Sequence, residues 1–179
     1  KELYFRMKNR IFKPYLDLSV PVSGMNLRGE LLKSFSQNTN FDTNIIIRRR
    51  KDISLIGKEN YKFEYWNNIL LAPFTICARG NGNFSVRFYE TLAMGRIPIL
   101  IDTDCVLPLD NEIDWFKHCI IVENTEPNRI VNSVSLLINA MDDNDIINMQ
   151  IANRKLWIDK LSFGGFFYSF TKNNLQNNP

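Results

Sequence analysis

Short apolar runs alternate with segments whose apolar positions recur every three or four residues, and the alternation continues over most of the chain. Leu18–Val22 reads as a strand, followed by a turn at Ser23–Asn26 and a helix from Arg28 to Phe35 with Leu27, Leu31, Leu32 and Phe35 on one face. The triple Ile45-Ile46-Ile47 predicts a core strand over Asn44–Arg48. Tyr61, Tyr65, Trp66, Ile69 and Leu70 predict a helix that packs its aromatic residues on the sheet. Phe74–Ala78 is a short apolar strand stopped by Arg79-Gly80-Asn81-Gly82-Asn83. From Ser85, a residue suited to a helix N-terminus, Val86, Phe88, Tyr89, Leu92 and Ala93 recur at helical spacing until Gly95. Ile97–Ile101 and Cys119–Val122 are further strands, and Pro98 lies near the start of the first, where a missing N–H does least harm. Asn124-Thr125-Glu126-Pro127 open a helix to about Met141. Asp142-Asp143 open another to about Leu161, and Phe163-Gly164-Gly165 breaks it before a final aromatic segment.

The predicted class is therefore α/β: a Rossmann-like doubly wound parallel sheet with C-terminal helices. Residues 1–17, a mixture of aromatic and basic positions, are assigned to an arm or linker from a preceding domain. Residues 18–170 form the Rossmann-like domain, and 171–179 are a frayed polar tail.

Composition narrows the function classes without choosing one. With 45% hydrophobic and 23% charged residues, the chain is neither disordered nor a membrane protein in character. Its formal charge of +3 is modest, and basic residues are dispersed except for Arg48-Arg49-Arg50-Lys51, so nucleic acid is not implied. That run is read first as a solvated strand-end cluster and second as a contact for donor or an anionic glycan. No apolar run approaches the ~20 residues of a membrane span, and no cleavable signal pattern is present. The three cysteines, Cys77, Cys105 and Cys119, lack metal-ligand spacing and read as reduced thiols, two of them inside apolar runs. His118, the sole histidine, stands before a strand with no partner arrangement that marks a catalytic base.

The chemistry concentrates between Phe74 and Asp104. In a strand–loop–helix–strand unit, the first loop lies at the carboxyl end of a strand facing a helix N-terminus, where ligands of open α/β sheets bind. Gly80 and Gly82 let the backbone approach an anion closely. Asn81, Ser85 and the helix N-terminus offer donors, and Arg79 and Arg87 add charge suited to phosphate oxygens. Glu90, one turn after Arg87, repels phosphate but accepts hydrogen bonds from sugar hydroxyls, so the pair suits a nucleotide or a sugar joined to one. The bland alternative is a surface ion pair between Arg87 and Glu90. Asp102-Thr103-Asp104 invites a divalent-metal reading, although contact with sugar hydroxyls is favoured over it. Gly80-Asn81-Gly82 followed by Asp102 also imitates a dinucleotide fingerprint, with Ser85 in place of its third glycine, which keeps an NAD(P)-dependent oxidoreductase as an alternative. Asn83-Phe84-Ser85 is formally a glycosylation sequon inside the loop, and a glycan there would block it.

Taken together, Arg79-Gly80, Ser85-Val86-Arg87-Phe88-Tyr89-Glu90, Gly95-Arg96-Ile97-Pro98-Ile99-Leu100-Ile101, Leu107-Pro108 and Asp114-Trp115 resemble the exostosin family of glycosyltransferases, family 47, in order and spacing. The resemblance is sharpest from Leu70 to Val122, continues to Phe167, where Arg154 to Phe167 matches a familiar ending, and thins before Asn44. It implies one half of a GT-B fold, the C-terminal domain that binds a nucleoside diphosphate sugar, with no metal and no cofactor. Arg28, at the mouth of an earlier glycine turn, becomes a secondary candidate for the diphosphate beside its reading as a solvated helix-start arginine, and Asp102 and Asp104 are secondary candidates as well. The implied partners are a donor, with UDP expected, a glycan acceptor, and an N-terminal acceptor domain that this chain lacks. The expected reaction is inverting hexosyl or uronosyl transfer, the catalytic base is unassigned, and a non-catalytic binding module is the further alternative. The expected location is the cytoplasm, or the Golgi lumen if an upstream anchor is missing.

Overall fold

The computed structural model describes residues 24–47, 57–80 and 82–176. The arm at 1–17, the strand expected at Leu18–Val22, the basic run Arg48–Lys51 and Asn81 lie outside the described residues. Helix α1 (Gly24–Gln37) and helix α2 (Lys58–Leu70) precede strand β1 (Phe74–Cys77), helix α3 (Val86–Ala93) and strand β2 (Ile97–Asp102). A single 3-10 turn (Trp115–Lys117) leads to strand β3 (Ile120–Glu123). Helix α4 (Pro127–Asn139), helix α5 (Asp143–Leu156), a π-helical turn (Trp157–Leu161) and helix α6 (Phe163–Gln176) complete the order.

The strands form a parallel sheet in the order β1-β2-β3, with Phe74 opposite Ile97 and Ile99 opposite Ile120. The central strand is buried on both faces, which is why Ile97–Ile101 reads as an unbroken apolar run rather than an alternating one. Its side chains nevertheless divide by parity. Ile99 and Ile101 join Ala78, Ile120 and Val122 against α1 (Leu27, Leu31, Phe35) and α4 (Ile130, Val131, Val134). Leu100 and Cys77 face the other way, onto Phe88 and Leu92 of α3, Leu156 of α5, and Trp115. Helices on both faces of a parallel sheet are what doubly wound means, so the expected class is what the chain adopts.

Three local expectations give way. The turn at Ser23–Asn26 is replaced from Gly24 onward by the first turn of α1. Ile45–Ile47 is not a core strand: 42–47 has no regular structure, Ile45 packs against the core from its edge, and Ile47 is 77% exposed. An apolar triple carries no phase, so it cannot separate a strand from an extended segment anchored by one side chain. At the C-terminus, Ser162 breaks the helix with an extended backbone (ψ 156), whereas Gly164 and Gly165 sit inside α6, which runs through Thr171 to Gln176 instead of ending in a tail.

Two other ends form as their residues dictate. Asp142 and Asp145 make a reciprocal capping box at the start of α5. Gly95 takes φ 63 after α3, and a side chain there would press on Arg154 and Gln150 of α5, so glycine is needed for both conformation and space. Arg154 donates a short hydrogen bond to the Ala93 carbonyl, tying the open end of α3 to α5.

Candidate functional site

The glycine loop between β1 and α3 closes on itself through a hydrogen bond from Gly80 N to the Phe84 carbonyl at 3.1 Å. Gly82 lies against the Phe84 ring. Asn83 ties the loop to the one that follows β2: its amide donates to the Thr103 carbonyl at 2.9 Å, and the Thr103 hydroxyl donates to Asn83 Oδ1 at 2.6 Å. Ser85 occupies the N-cap of α3 with the expected extended backbone, yet its hydroxyl makes no capping bond. That oxygen is buried with no partner, in a residue only 4% exposed, and Arg79 Nε is buried without a partner as well. Buried polar atoms in folded proteins are nearly always satisfied, so Ser85 Oγ at the helix N-terminus and Arg79 Nε in the loop before it are each open to an acceptor.

Arg87 and Glu90 do not form the surface ion pair that their spacing allows. Tyr65 of α2 stands between them: Arg87 Nε donates to its hydroxyl at 3.4 Å, and the hydroxyl donates a short hydrogen bond to Glu90 Oε2. The Arg87 guanidinium also lies 5.0 Å from the centre of the Tyr65 ring, a cation–π distance. Burial raises the phenol above its ordinary pKa and the bond to Glu90 adds to this, while Arg87 opposes it. The phenol therefore stays protonated at neutral pH and is a donor to the carboxylate. Tyr65 is the residue that pattern reading missed. Its helical spacing marks it as packing, and its real partners are 22 and 25 residues away in sequence.

A cavity of about 480 Å³ opens among α1, α2, the 41–46 segment and β1. Arg28, Tyr65, Ser85 and Arg87 contribute its donors, and Leu31, Phe35, Phe74 and Ile99 contribute apolar wall. Arg28 is not merely a solvated helix-start residue, because its Nη2 donates to the Ala78 carbonyl at 3.1 Å and lies beside Gly80. Glu90 stands one hydrogen bond behind the wall, through Tyr65.

Asp102 and Asp104 are not brought into this cavity. Asp102 Oδ1 accepts from Asp104 N at 2.9 Å, and Asp104 adopts φ 61, a conformation that aspartate tolerates. Thr103 between them reaches the glycine loop through Asn83. Among the described residues no group of three or more His, Cys, Asp or Glu is arranged to hold a metal, and no helix is long and apolar enough to cross a membrane.

His118 is a structural residue. Asn153 of α5 is fully buried and spends both amide protons on the carbonyls of Arg96 and His118, each at 2.9 Å. Its Oδ1, 2.9 Å from His118 Nδ1, is then an acceptor, which fixes the proton on Nδ1. All three cysteines are free. Burial pushes the Cys77 thiol up to about 12 against a smaller lowering by Thr91, and burial pushes Cys119 up as well, so both are inert thiols.

Leu107-Pro108 and Asp114-Trp115, distant from the loop in sequence, come together against the helix that follows it. Trp115 Nε1 donates to the Pro108 carbonyl at 3.2 Å, and the indole packs on Phe88 of α3 with ring centres 5.4 Å apart. A parallel βαβ unit with donors gathered at the carboxyl end of its first strand defines a Rossmann-like domain with its candidate site in the usual place. The chain belongs to the exostosin family of glycosyltransferases: the family model for the Exostosin GT47 domain matches residues 6–137, well over half of its 179 residues. That match reaches into the N-terminal stretch where the motif likeness thins, and it stops short of Arg154–Phe167. The chain is 37% identical over 68 residues to an exostosin-1 homolog of Caenorhabditis elegans, covering 36% of this chain and 18% of that protein. It is 29% identical over 86 residues to a probable glucuronosyltransferase of Oryza sativa subsp. japonica, covering 48% and 20%. Against exostosin-1 of Drosophila melanogaster it is 26% identical over 116 residues, covering 62% and 15%. The matched stretch is thus no more than a fifth of the length of each of these relatives.

Proposed function

We propose that this chain is the donor-binding domain of a glycosyltransferase that builds a glycan from a nucleoside diphosphate sugar, with UDP as the nucleotide. The carrying observation is two buried, unpartnered donors on the segment that follows β1: Ser85 Oγ, at the N-cap of α3 and in the cavity wall, and Arg79 Nε, in the loop before it and outside the cavity lining. An acceptor-only diphosphate complements them, and Arg87 and Arg28 lie close enough to share its charge. Sugar transfer builds negative charge on the departing phosphate oxygen, and preorganised donors aimed there lower the barrier. In this reading arginine and the helix N-terminus carry that charge without metal or cofactor, Glu90 holds a ribose hydroxyl, and an acceptor hydroxyl attacks from the opposite face with inversion. Membership of the exostosin family favours this over hydride transfer. The names of the relatives make a hexosyl or uronosyl donor the first to test, with a glycan as acceptor.

Calorimetric titration of the chain with UDP, UDP-sugars, GDP and CMP, with and without a divalent cation, tests the proposal. UDP-linked ligands are expected to bind regardless of cation. Ser85→Ala and Arg87→Ala are each expected to weaken binding about tenfold or more, in line with about 1.5–3 kcal/mol for a hydrogen bond to a charged group. Equal affinity in wild type and both variants sinks the site assignment. The binding-module reading is favoured on one point, since the sole histidine is committed to Asn153. Donor binding without transfer to any acceptor, with a complete relative's acceptor domain supplied, would establish it.

A further inference from the structure

Arg87 and Glu90 lie one helical turn apart, within reach of direct pairing. A direct pair would turn each charge on the other and away from a ligand. Tyr65 prevents this. Its hydroxyl takes Arg87 Nε on one side and gives its proton to Glu90 Oε2 on the other, and its ring supports the guanidinium from below. Arg87 keeps its terminal nitrogens, and among the described residues Glu90 Oε1 makes no other hydrogen bond. Tyr65 itself arrives from a different helix, α2, and lines the same cavity as Arg28, Ser85 and Arg87.

We propose that Tyr65 is the positioning residue of the donor site: it holds Arg87 and Glu90 apart, leaving the guanidinium for an anion and a single carboxylate oxygen, Oε1, to read one ribose hydroxyl. The inference rests on the nucleotide-donor reading above and adds to it both the residue that orients the two charges and an asymmetry in how the ribose is recognised. A carboxylate free at both oxygens grips two neighbouring hydroxyls alike, whereas one held at Oε2 by a phenol does not. Because the phenol stays protonated, this arrangement persists across the neutral range.

The experiment measures binding of UDP, 2′-deoxy-UDP and 3′-deoxy-UDP to the full chain as wild type, Tyr65→Phe, Glu90→Gln and the double variant. In wild type, removal of one ribose hydroxyl is expected to weaken binding about tenfold and removal of the other by less than about threefold. Tyr65→Phe keeps the ring under Arg87 but removes the hydroxyl. It is expected to weaken UDP about tenfold and to erase the difference between the two deoxy-nucleotides, and the double variant is expected to bind no more weakly than Glu90→Gln. Wild-type affinity and discrimination in Tyr65→Phe, or additive losses in the double variant, overturn the role of Tyr65 while leaving the donor site standing. A wild-type chain that does not bind UDP overturns both readings together. If Tyr65→Phe does not fold, the wild-type comparison decides alone, because equal losses from the two missing hydroxyls contradict a carboxylate held at one oxygen.

Discussion

Replacing Asn153 with alanine removes one side chain and leaves three groups without partners. The carbonyls of Arg96 and His118 lose their only side-chain donor in this cluster, and His118 Nδ1 loses its acceptor. Asn153 is 0% exposed, so water does not replace the amide without opening the interface between α5 and the sheet. At about 1–3 kcal/mol for each of the three groups left unsatisfied, the loss is roughly 3–9 kcal/mol, a large part of the ~5–15 kcal/mol that holds a domain folded. Histidine 118 gives the control: His118→Ala leaves both carbonyls satisfied by Asn153 and strands one atom, Asn153 Oδ1, for about 1–3 kcal/mol. Asn153→Asp is expected to be at least as damaging as alanine, because it presents a second oxygen to two carbonyl oxygens. Urea unfolding followed by circular dichroism measures all three, and with a slope near 2 kcal/mol/M the midpoint of Asn153→Ala should fall by roughly 1.5 M or more. A midpoint for Asn153→Ala within about 0.5 M of wild type, or a loss in His118→Ala as large as in Asn153→Ala, refutes the argument. The consequence reaches the site, since Arg96 also clamps the Leu70 carbonyl at the end of α2 through Nε and Nη2, at 3.1 and 2.8 Å. One buried amide therefore helps set α2, which carries Tyr65, against α3, which carries Arg87.

Other outcomes follow from single features. The unfolded Cys77 thiol ionises above about 9 while the folded one holds its proton to about 12, so folding stability should fall as pH rises through that window, at up to about 1.4 kcal/mol per pH unit. Cys77→Val should flatten that slope in urea titrations at pH 8 to 11, and an unchanged slope would refute the assignment. Thr103→Val cuts the hydroxyl bond to Asn83 and should weaken UDP binding several-fold while moving the melting temperature by less than about 3 °C, as read by calorimetry and a thermal scan. Asp104→Asn should leave UDP affinity within about twofold, because the bond that Asp104 makes to Asp102 Oδ1 is through its backbone N–H, which asparagine keeps. Gly95→Ala places a side chain at φ 63 against Arg154 and Gln150 and should cost about 1–3 kcal/mol by denaturant titration.

What the sequence disclosed depended on whether the deciding contacts were local. The βαβ unit from Phe74 to Asp102 was legible because its strands are short apolar runs and its helix has a clear start at Ser85 and stop at Gly95. The capping box at Asp142 was visible only as a helix start, although both partners lie within one turn. Ile45–Ile47 misled, because burial of one isoleucine at a core edge gives no periodicity to read. At the candidate site, Arg79, Ser85 and Arg87 were proposed from loop chemistry, and Arg28 was raised only through resemblance. Tyr65 and Asn153 were missed, since each acts through partners more than twenty residues away and neither belongs to a local motif.

Gly165, inside α6, sits so close to the backbone of Ile158 and Asp159 in the π-helical turn that no side chain fits between them. Among the described residues that turn is the main support of α6, a helix of 14 residues whose Phe163, Phe167 and Tyr168 stand exposed. At 1.5 Å per residue the helix is about 21 Å long, so a tilt of about 10° at its base swings the far end by roughly 4 Å. The aim of an entire aromatic helix is thus geared to a pivot one hydrogen atom wide.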